Sequence, residues 1–115
     1  MSRLLALLLL LLPLPATADD FSDAVAAYAD ANYEKAYQLW RPLAESGDAG
    51  AMFDLGVLYW EGQGIPRNRP LAIQWWQHAV QQNVAAAQYN VSLAHYLGEE
   101  VAQDAHKALS LARLA

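Results

Sequence analysis

The chain has 115 residues, with 12 acidic and 7 basic side chains, a net charge of −5 with histidine neutral, and no cysteine. That length is enough for one small domain and too short for two. The acidic balance argues against a nucleic-acid partner, because phosphates are neutralised by lysine and arginine, and against docking on anionic lipid. Without cysteine, the domain must be held together by packing rather than by disulfide bonds.

An export signal is predicted at the N-terminus. The first three residues end in Arg3, and residues 4–12 are almost all leucine. Ala16-Thr17-Ala18 then supplies the small-residue cleavage site that is typical of a secretory signal peptide. The leucine run is too short for a transmembrane helix, which needs about 20 apolar residues. We therefore expect a signal peptide over 1–18, cleaved after Ala18, no stable membrane insertion afterwards, and a mature domain over 19–115 in the bacterial periplasm or secreted.

Helices are predicted over the rest of the chain, because alanine is frequent and β-branched residues are few. Apolar residues recur at i, i+3, i+4 and i+7, the pattern of a helix that buries one stripe against its neighbours. Two such stripes are Ala36, Leu39, Trp40 and Leu43, and Ala72, Trp75, Trp76 and Ala79. The predicted helices are 21–31, 34–46, 49–61, 70–82, 85–97 and 104–115.

Glycine, asparagine and proline mark the ends of these helices. Gly47 is expected to form the left-handed C-terminal cap of the second helix, and residues 62–66, with two glycines and a proline, read as a loop. Pro70 is expected in the first turn of the fourth helix, where its missing N–H costs nothing. In the short connector between the first two helices, Asn32 is expected to take the left-handed turn.

Small residues recur at a fixed step of 36 positions. Ala36, Ala72 and Ala108 form one series and Ala51 and Ala87 a second, while Trp40, Trp76 and Ala112 form a looser third. Self-similarity at this period is typical of a solenoid in which each unit packs on the next. The sequence therefore predicts an all-α solenoid of about three antiparallel helix pairs, with units near 21–46, 49–82 and 85–115.

One complete unit carries a family motif. The run Ala51-x-x-x-Leu55-Gly56-x-x-Tyr59-x-x-Gly62-x-Gly64-Ile65, followed by Ala72-x-x-Trp75-x-x-x-Ala79, resembles the Sel-one-like repeat (SLR) family, a longer relative of the tetratricopeptide repeat. The resemblance covers nearly all of residues 19–115. It implies a right-handed superhelix of paired helices, and an adaptor that holds other proteins on its concave surface.

The flanking units depart from that motif. In the third unit, Val91 and Ser92 replace the leucine and glycine, and His95 falls where the tyrosine belongs. The first unit has the short connector of an ordinary tetratricopeptide repeat. Some secreted relatives were proposed to bind cell-wall fragments or β-lactams, but they carry a disulfide in each repeat. Because this chain has no cysteine, that activity is not carried over.

Patterns for metal binding and catalysis are weak. The three histidines, His78, His95 and His106, form no H-x-x-x-H pair and have no cysteine to join them, whereas zinc needs three or four convergent ligands. The carboxylate pairs Asp54 with Glu61 and Glu99 with Glu100 would support acid–base chemistry only if burial separated their pKa values. The sequence therefore predicts no metal, no cofactor and no enzymatic activity.

A partner-binding face is predicted on the first helix of each pair, which lines the concave side in this architecture. Aromatic residues there suit peptide anchors, although core packing is the alternative for each of them. Asp54 and Asn90 are polar residues at one repeat-relative position, and two arginines fall on the adjoining loop rim. The predicted partner-binding residues are Phe53, Asp54, Trp60, Arg67, Arg69, Tyr89, Asn90 and Tyr96.

The function predicted from the sequence is an exported adaptor or scaffold that binds a protein or peptide partner in the cell envelope. Two alternatives remain: a binder or enzyme acting on small cell-wall-derived ligands, and a structural subunit that only oligomerises. The last helix favours self-association as a further possibility, because Leu109, Leu111 and Leu114 give it an apolar surface without a polar cap.

Overall fold

In the computed structural model, residues 18–98 are described, and they form five α-helices with no strand among them. The helices are α1 (Ala18–Ala29), α2 (Tyr33–Glu45), α3 (Ala49–Glu61), α4 (Arg69–Gln81) and α5 (residues 85–98). The predicted signal peptide, the predicted helix 104–115 and the third members of two repeat series, Ala108 and Ala112, lie outside the described residues. The helices predicted near 34–46, 49–61, 70–82 and 85–97 are confirmed to within one residue at each end.

Polar side chains fix where three of the helices begin. Asn32, Asp48 and Asn68 are the N-caps of α2, α3 and α4, and each side chain accepts a hydrogen bond from the backbone N–H three residues later. These contacts satisfy donors that have no partner inside the helix. Pro70 lies in the first turn of α4, as expected.

A left-handed residue follows three of the helices at the same position. Ala31 after α1, Gly47 after α2 and Asn83 after α4 have φ values of 60°, 101° and 67°. Each donates its N–H back to a carbonyl of the last helical turn, which is the Schellman arrangement. The expectation that Asn32 takes the left-handed turn is wrong, because Ala31 takes it and Asn32 caps the next helix instead. This turn ends α1 at Ala29, two residues before the predicted end.

The buried stripe repeats from unit to unit. Ala36 and Ala72 are both fully buried, and Trp40 and Trp76 are each only 3% exposed. Ala51 and Ala87, on the first helices of successive pairs, are also fully buried. The step of 36 residues therefore places equivalent residues at equivalent points of successive hairpins, as the solenoid requires.

Helix α3 is central to the described part of the chain. It packs against α2 of the preceding pair and against α4, its own partner. Its Leu55 and Leu58 are the largest side chains with full burial. The hydrophobic core therefore runs continuously from α1 to α5 through α3 rather than being divided between separate hairpins.

Candidate functional site

Two open cavities lie side by side along the first helices of the pairs. The α1–α3 cavity has a volume of about 200 Å³, and the α3–α5 cavity has a volume of about 190 Å³. Val57 of α3 lines both of them. We call the two cavities together the inner groove. The α1–α3 cavity is lined by Val25, Tyr28, Trp40, Asp54 and Val57. The α3–α5 cavity is lined by Val57, Trp60, Glu61, Trp76, Asn90, Leu93, Ala94 and Leu97.

An aliphatic row runs along the inner groove, formed by Val25, Val57 and Leu93. Val25 and Val57 each lie four residues before the last residue of their helix, and Leu93 follows Val57 by one repeat of 36 residues. Val25 is 47% exposed and Leu93 is 40% exposed. Val57 between them is half-buried and packs against the core. The row therefore lines both cavities at equivalent points of α1, α3 and α5, with its two outer side chains open to solvent.

A polar row runs beside the aliphatic one. Asp54 in the α1–α3 cavity and Asn90 in the α3–α5 cavity are both half-buried and lie one repeat apart. Burial in this apolar setting, with a smaller contribution from the charge of Asp48, raises the pKa of Asp54 to about 6. Within residues 18–98, the side chain of Asp54 makes no hydrogen bond and no ion pair. The groove therefore holds a carboxylate whose charge is poorly compensated.

The inner groove brings together three of the eight residues predicted to bind a partner: Asp54, Trp60 and Asn90. Phe53 is half-buried and packs against the core, and its carbonyl accepts a hydrogen bond of 3.0 Å from the Trp76 indole N–H. Tyr89 and Tyr96 are 67% and 61% exposed and line neither cavity. Arg67 lies beside Gly62 in the α3–α4 loop.

Arg69 and Trp60 form a pair at the end of α3. The guanidinium of Arg69 lies 4.4 Å from the centre of the Trp60 ring, a cation–π contact. The Trp60 ring also packs against the core, because its centre is 5.4 Å from that of the buried Trp76. Trp60 therefore has a packing role as well as a position in the groove, and Arg69 covers it from outside.

The aliphatic row was missed by sequence reasoning. Val25, Val57 and Leu93 are ordinary apolar residues on amphipathic helices, so they read as core. A signal for them existed in the repeat itself. The two polar residues of the groove, Asp54 and Asn90, are each followed three residues later by one of these aliphatic residues, which on a helix is the same face.

A tyrosine–arginine cluster lies at the contact between α2 and α3, away from the inner groove. The hydroxyls of Tyr37 and Tyr59 are 3.2 Å apart, and Arg41 donates to Tyr37 over 3.1 Å. Burial and the bond to Tyr37 raise the pKa of Tyr59 to about 12. Arg41 also pairs with Glu45 at 2.9 Å. The raised pKa keeps Tyr59 protonated at neutral pH, so the cluster acts as a set of hydrogen bonds that joins the two helices.

Stacked helical hairpins with an open apolar groove along their first helices define the class of α-helical repeat proteins. Within that class, the chain belongs to the Sel1 repeat family, whose repeats match residues 26–48, 49–84 and 85–115. The predicted resemblance to this family is confirmed, and with it the fold, a right-handed α-solenoid of antiparallel helix pairs. Sel1 repeats are protein–protein interaction modules, and this chain is therefore such a module.

Two curated proteins from Arabidopsis thaliana are similar to this chain: the ERAD-associated E3 ubiquitin-protein ligase components HRD3A and HRD3B. They are 32% and 30% identical to it over 76 residues, or 66% of this chain. The match covers 11% of HRD3A and 13% of HRD3B, so the chain spans about a tenth of the length of these relatives.

Among the helices of residues 18–98, none combines the length and the apolar character that a membrane span needs.

Proposed function

We propose that this protein is an exported, non-catalytic adaptor that holds a peptide or protein partner in the inner groove. The observation that carries the proposal is the aliphatic row, in which Val25, Val57 and Leu93 line the two cavities at equivalent points of the first helices of successive pairs. A row of this kind suits a bound segment that runs across the helices. Because the helices already stand in place, little rearrangement is needed for binding.

The arrangement of carboxylates favours an adaptor over an enzyme. The pair considered from the sequence, Asp54 and Glu61, is divided between the two cavities, since Asp54 lines the first and Glu61 the second. Paired acid–base catalysis needs two carboxyl groups facing one substrate. Asp54, despite its raised pKa, therefore has no second carboxyl group among the residues that line its own cavity.

The groove can be tested by photo-crosslinking in living cells. A photoreactive amino acid at position 93, in the groove, is compared with one at position 38, where Gln38 is exposed on α2. We expect a defined protein to be linked from position 93 and not from position 38. Equal linking from both positions, or none from position 93, would contradict the proposal.

Export is supported by the pattern of residues 1–18, with a basic start, a leucine run and a small-residue exit. N-terminal sequencing of the protein recovered from its native cell tests this part separately. We expect Asp19 as the first residue and recovery in the periplasmic or secreted fraction. A chain that still begins with Met1 and stays in the cytoplasmic fraction would refute export while leaving the groove proposal intact.

A further inference from the structure

We propose that the inner groove selects a basic–apolar peptide segment, in which a lysine or arginine pairs with Asp54 while neighbouring apolar side chains pack on the aliphatic row. This inference rests on the proposed function, since it names the chemistry of the partner that the groove would hold.

Asp54 lacks the partners that a half-buried carboxylate normally has. Among residues 18–98, no hydrogen bond or ion pair reaches its side chain, and the charge that acts on it is the like charge of Asp48. Removing a carboxylate from water without a compensating partner is unfavourable. A bound ammonium or guanidinium group would supply both the opposite charge and the hydrogen bonds, which makes such a contact stronger than one between neutral groups.

The chain's own basic residues do not fill this role in the described structure. Arg41 is paired with Glu45, and Arg69 lies over Trp60. The second cavity also has a carboxylate at its edge, that of Glu61, and the chain as a whole has a net charge of −5. The electrostatic field of the groove therefore favours a cationic segment and disfavours an acidic one.

The lining of the α1–α3 cavity suits the stem of a long basic side chain. Val25, Tyr28 and Val57 surround Asp54 with apolar surface. Lysine and arginine carry aliphatic stems that pack on such surface while the charged end reaches a polar group. A small polar ligand would leave this apolar wall uncovered, so the cavity favours a side chain over a free ion.

The spacing of the helices sets the spacing of the apolar contacts. In the polyproline II conformation a peptide advances about 3.1 Å per residue and returns to the same side-chain direction every third residue. Apolar side chains three residues apart would therefore face the aliphatic row together, on the first helices of successive pairs. Asn90, half-buried in the second cavity, can donate and accept hydrogen bonds with the peptide backbone beside them.

The test is a titration followed by amide NMR shifts of the 115-residue protein. The probe is the capped peptide Ac-Ser-Leu-Lys-Ser-Leu-Ser-NH2, and the matched peptide has glutamine in place of the lysine. We expect shifts concentrated on α1, α3 and α5, and affinity for the lysine peptide about tenfold higher than for the glutamine peptide at pH 7.5. Asp54→Asn should remove that preference.

The control variant is Asp30→Asn, which removes an exposed carboxylate that lines neither cavity. It should retain the preference, so a general effect of net charge would be recognised. Equal affinity for the two peptides at α1, α3 and α5 would overturn this inference and leave the groove as a protein-binding site. Absence of shifts in the groove at millimolar peptide would also overturn it, whereas the crosslinking at position 93 decides the proposed function independently.

Discussion

At the scale of single residues, the same left-handed position recurs after three helices, but it is occupied by residue types that tolerate this conformation to different degrees. The left-handed position after a helix is occupied by Gly47 after α2 and by Asn83 after α4, which are residues that tolerate it. After α1 it is occupied by Ala31, at φ 60°. The left-handed conformation costs an ordinary L-residue about 1–2 kcal/mol, so strain is stored at Ala31.

Ala31→Gly should therefore stabilise the protein. We expect the free energy of unfolding to rise by about 0.5–1 kcal/mol, because relief of the strain exceeds the entropy that a glycine loses on folding. Urea denaturation measures the change. The control is Ala29→Gly, at the last residue of α1, where the backbone is right-handed and glycine should lower stability. A loss of stability in both variants would contradict the strain at Ala31.

A second residue-scale difference concerns the two buried tryptophans. A Cβ atom at Gly56 would fall inside the indole of Trp76, so the glycine lets that ring approach α3 closely and bond to the Phe53 carbonyl. In the first hairpin, Ala24 lies at the equivalent place, five residues before the end of its helix. Within residues 18–98, the buried Trp40 indole N–H has no hydrogen-bond partner, as expected if the extra methyl group blocks the same approach.

Gly56→Ala should destabilise the protein even though alanine is the better helix former. We expect a loss of about 2–3 kcal/mol, because the overpacking and the lost hydrogen bond outweigh the gain in helix propensity. A double-mutant cycle with Trp76→Leu, followed by urea denaturation, tests the cause. The cost of Gly56→Ala should shrink greatly when the smaller leucine is present. If its cost were unchanged, contact with Trp76 would not be the reason.

Asp54 links stability to pH with a sign opposite to that of an ion-paired aspartate. Its pKa is raised from 3.8 to about 6 in the folded protein, so the folded state binds the proton more tightly than the unfolded state. Stability therefore rises as pH falls from about 6 to about 4, and the penalty of the charged form is fully present above pH 6.

Asp54→Asn should remove that penalty. Allowing for solvent screening of a partly exposed group, we expect the variant to be about 1 kcal/mol more stable than the natural protein at pH 7.5. Near pH 3.5 the difference should become small, because Asp54 is then protonated in the folded state and mostly protonated in the unfolded state, where its pKa is 3.8. Urea denaturation at the two pH values measures this. A gain of the same size at both would show that charge burial is not its origin.

At the scale of elements, the α3–α4 loop joins two repeats rather than only connecting two helices. Gly64 packs against the start of α2, so that a Cβ atom there would lie 2.6 Å from the backbone nitrogen of Glu34. Beside it, the hydroxyl of Tyr28 donates to the Gln63 side chain over 3.2 Å. The loop of the second unit therefore rests on the α1–α2 turn of the first.

Gly64→Ala should loosen this contact between repeats. We expect a loss of at least about 2 kcal/mol, since the methyl group would meet backbone atoms and the residue has φ 74°. Gly47→Ala is the matched control, because Gly47 also has positive φ but nothing lies within 4 Å of its Cβ position. Thermal unfolding of both variants separates strain from contact. Equal losses would show that the loop does not need its close approach.

Sequence reasoning reached most of the fold because the signals were local and repeated. The stripe through Trp40 and Trp76 and the cap at Gly47 follow from helix geometry, and the step of 36 residues multiplies them. The end of α1 was misplaced because alanine rarely adopts the left-handed conformation, so Ala31 does not indicate a turn. The close approach of Gly64 to the first unit could not be predicted, since it depends on tertiary packing.

Part of the inner groove could also be predicted from the sequence, because some of its residues recur at one repeat position. Asp54 and Asn90 stand out because a polar residue recurs at one repeat position, and both line the inner groove. Val57 and Leu93 do not stand out, because exposure of an apolar residue depends on how far apart successive helices lie. Tyr89 was a reasonable aromatic anchor by type, yet its helix face turns it away from both cavities.

At the scale of the whole molecule, stability in a solenoid is carried by contacts between neighbours. Within residues 18–98, α3 is the helix that joins the first hairpin to the second, since it packs on α2 and on α4. The fully buried Leu55 and Leu58 both belong to it. Loss of packing at α3 should therefore lower the stability of both hairpins. Loss of packing at α1, which packs on α2, should mainly lower the stability of the first hairpin.

Leu58→Ala tests this coupling. We expect a loss of about 3–4 kcal/mol from the cavity left in the core, with faster amide hydrogen exchange in α2 and α4 as well as in α3, because the units unfold together. The control, Val25→Ala, removes a half-exposed side chain of α1 and should leave exchange in α4 unchanged. If Leu58→Ala accelerated exchange in α3 and α4 but not in α2, the two hairpins would open independently, and the inner groove would lack the rigid spacing that its proposed partner requires.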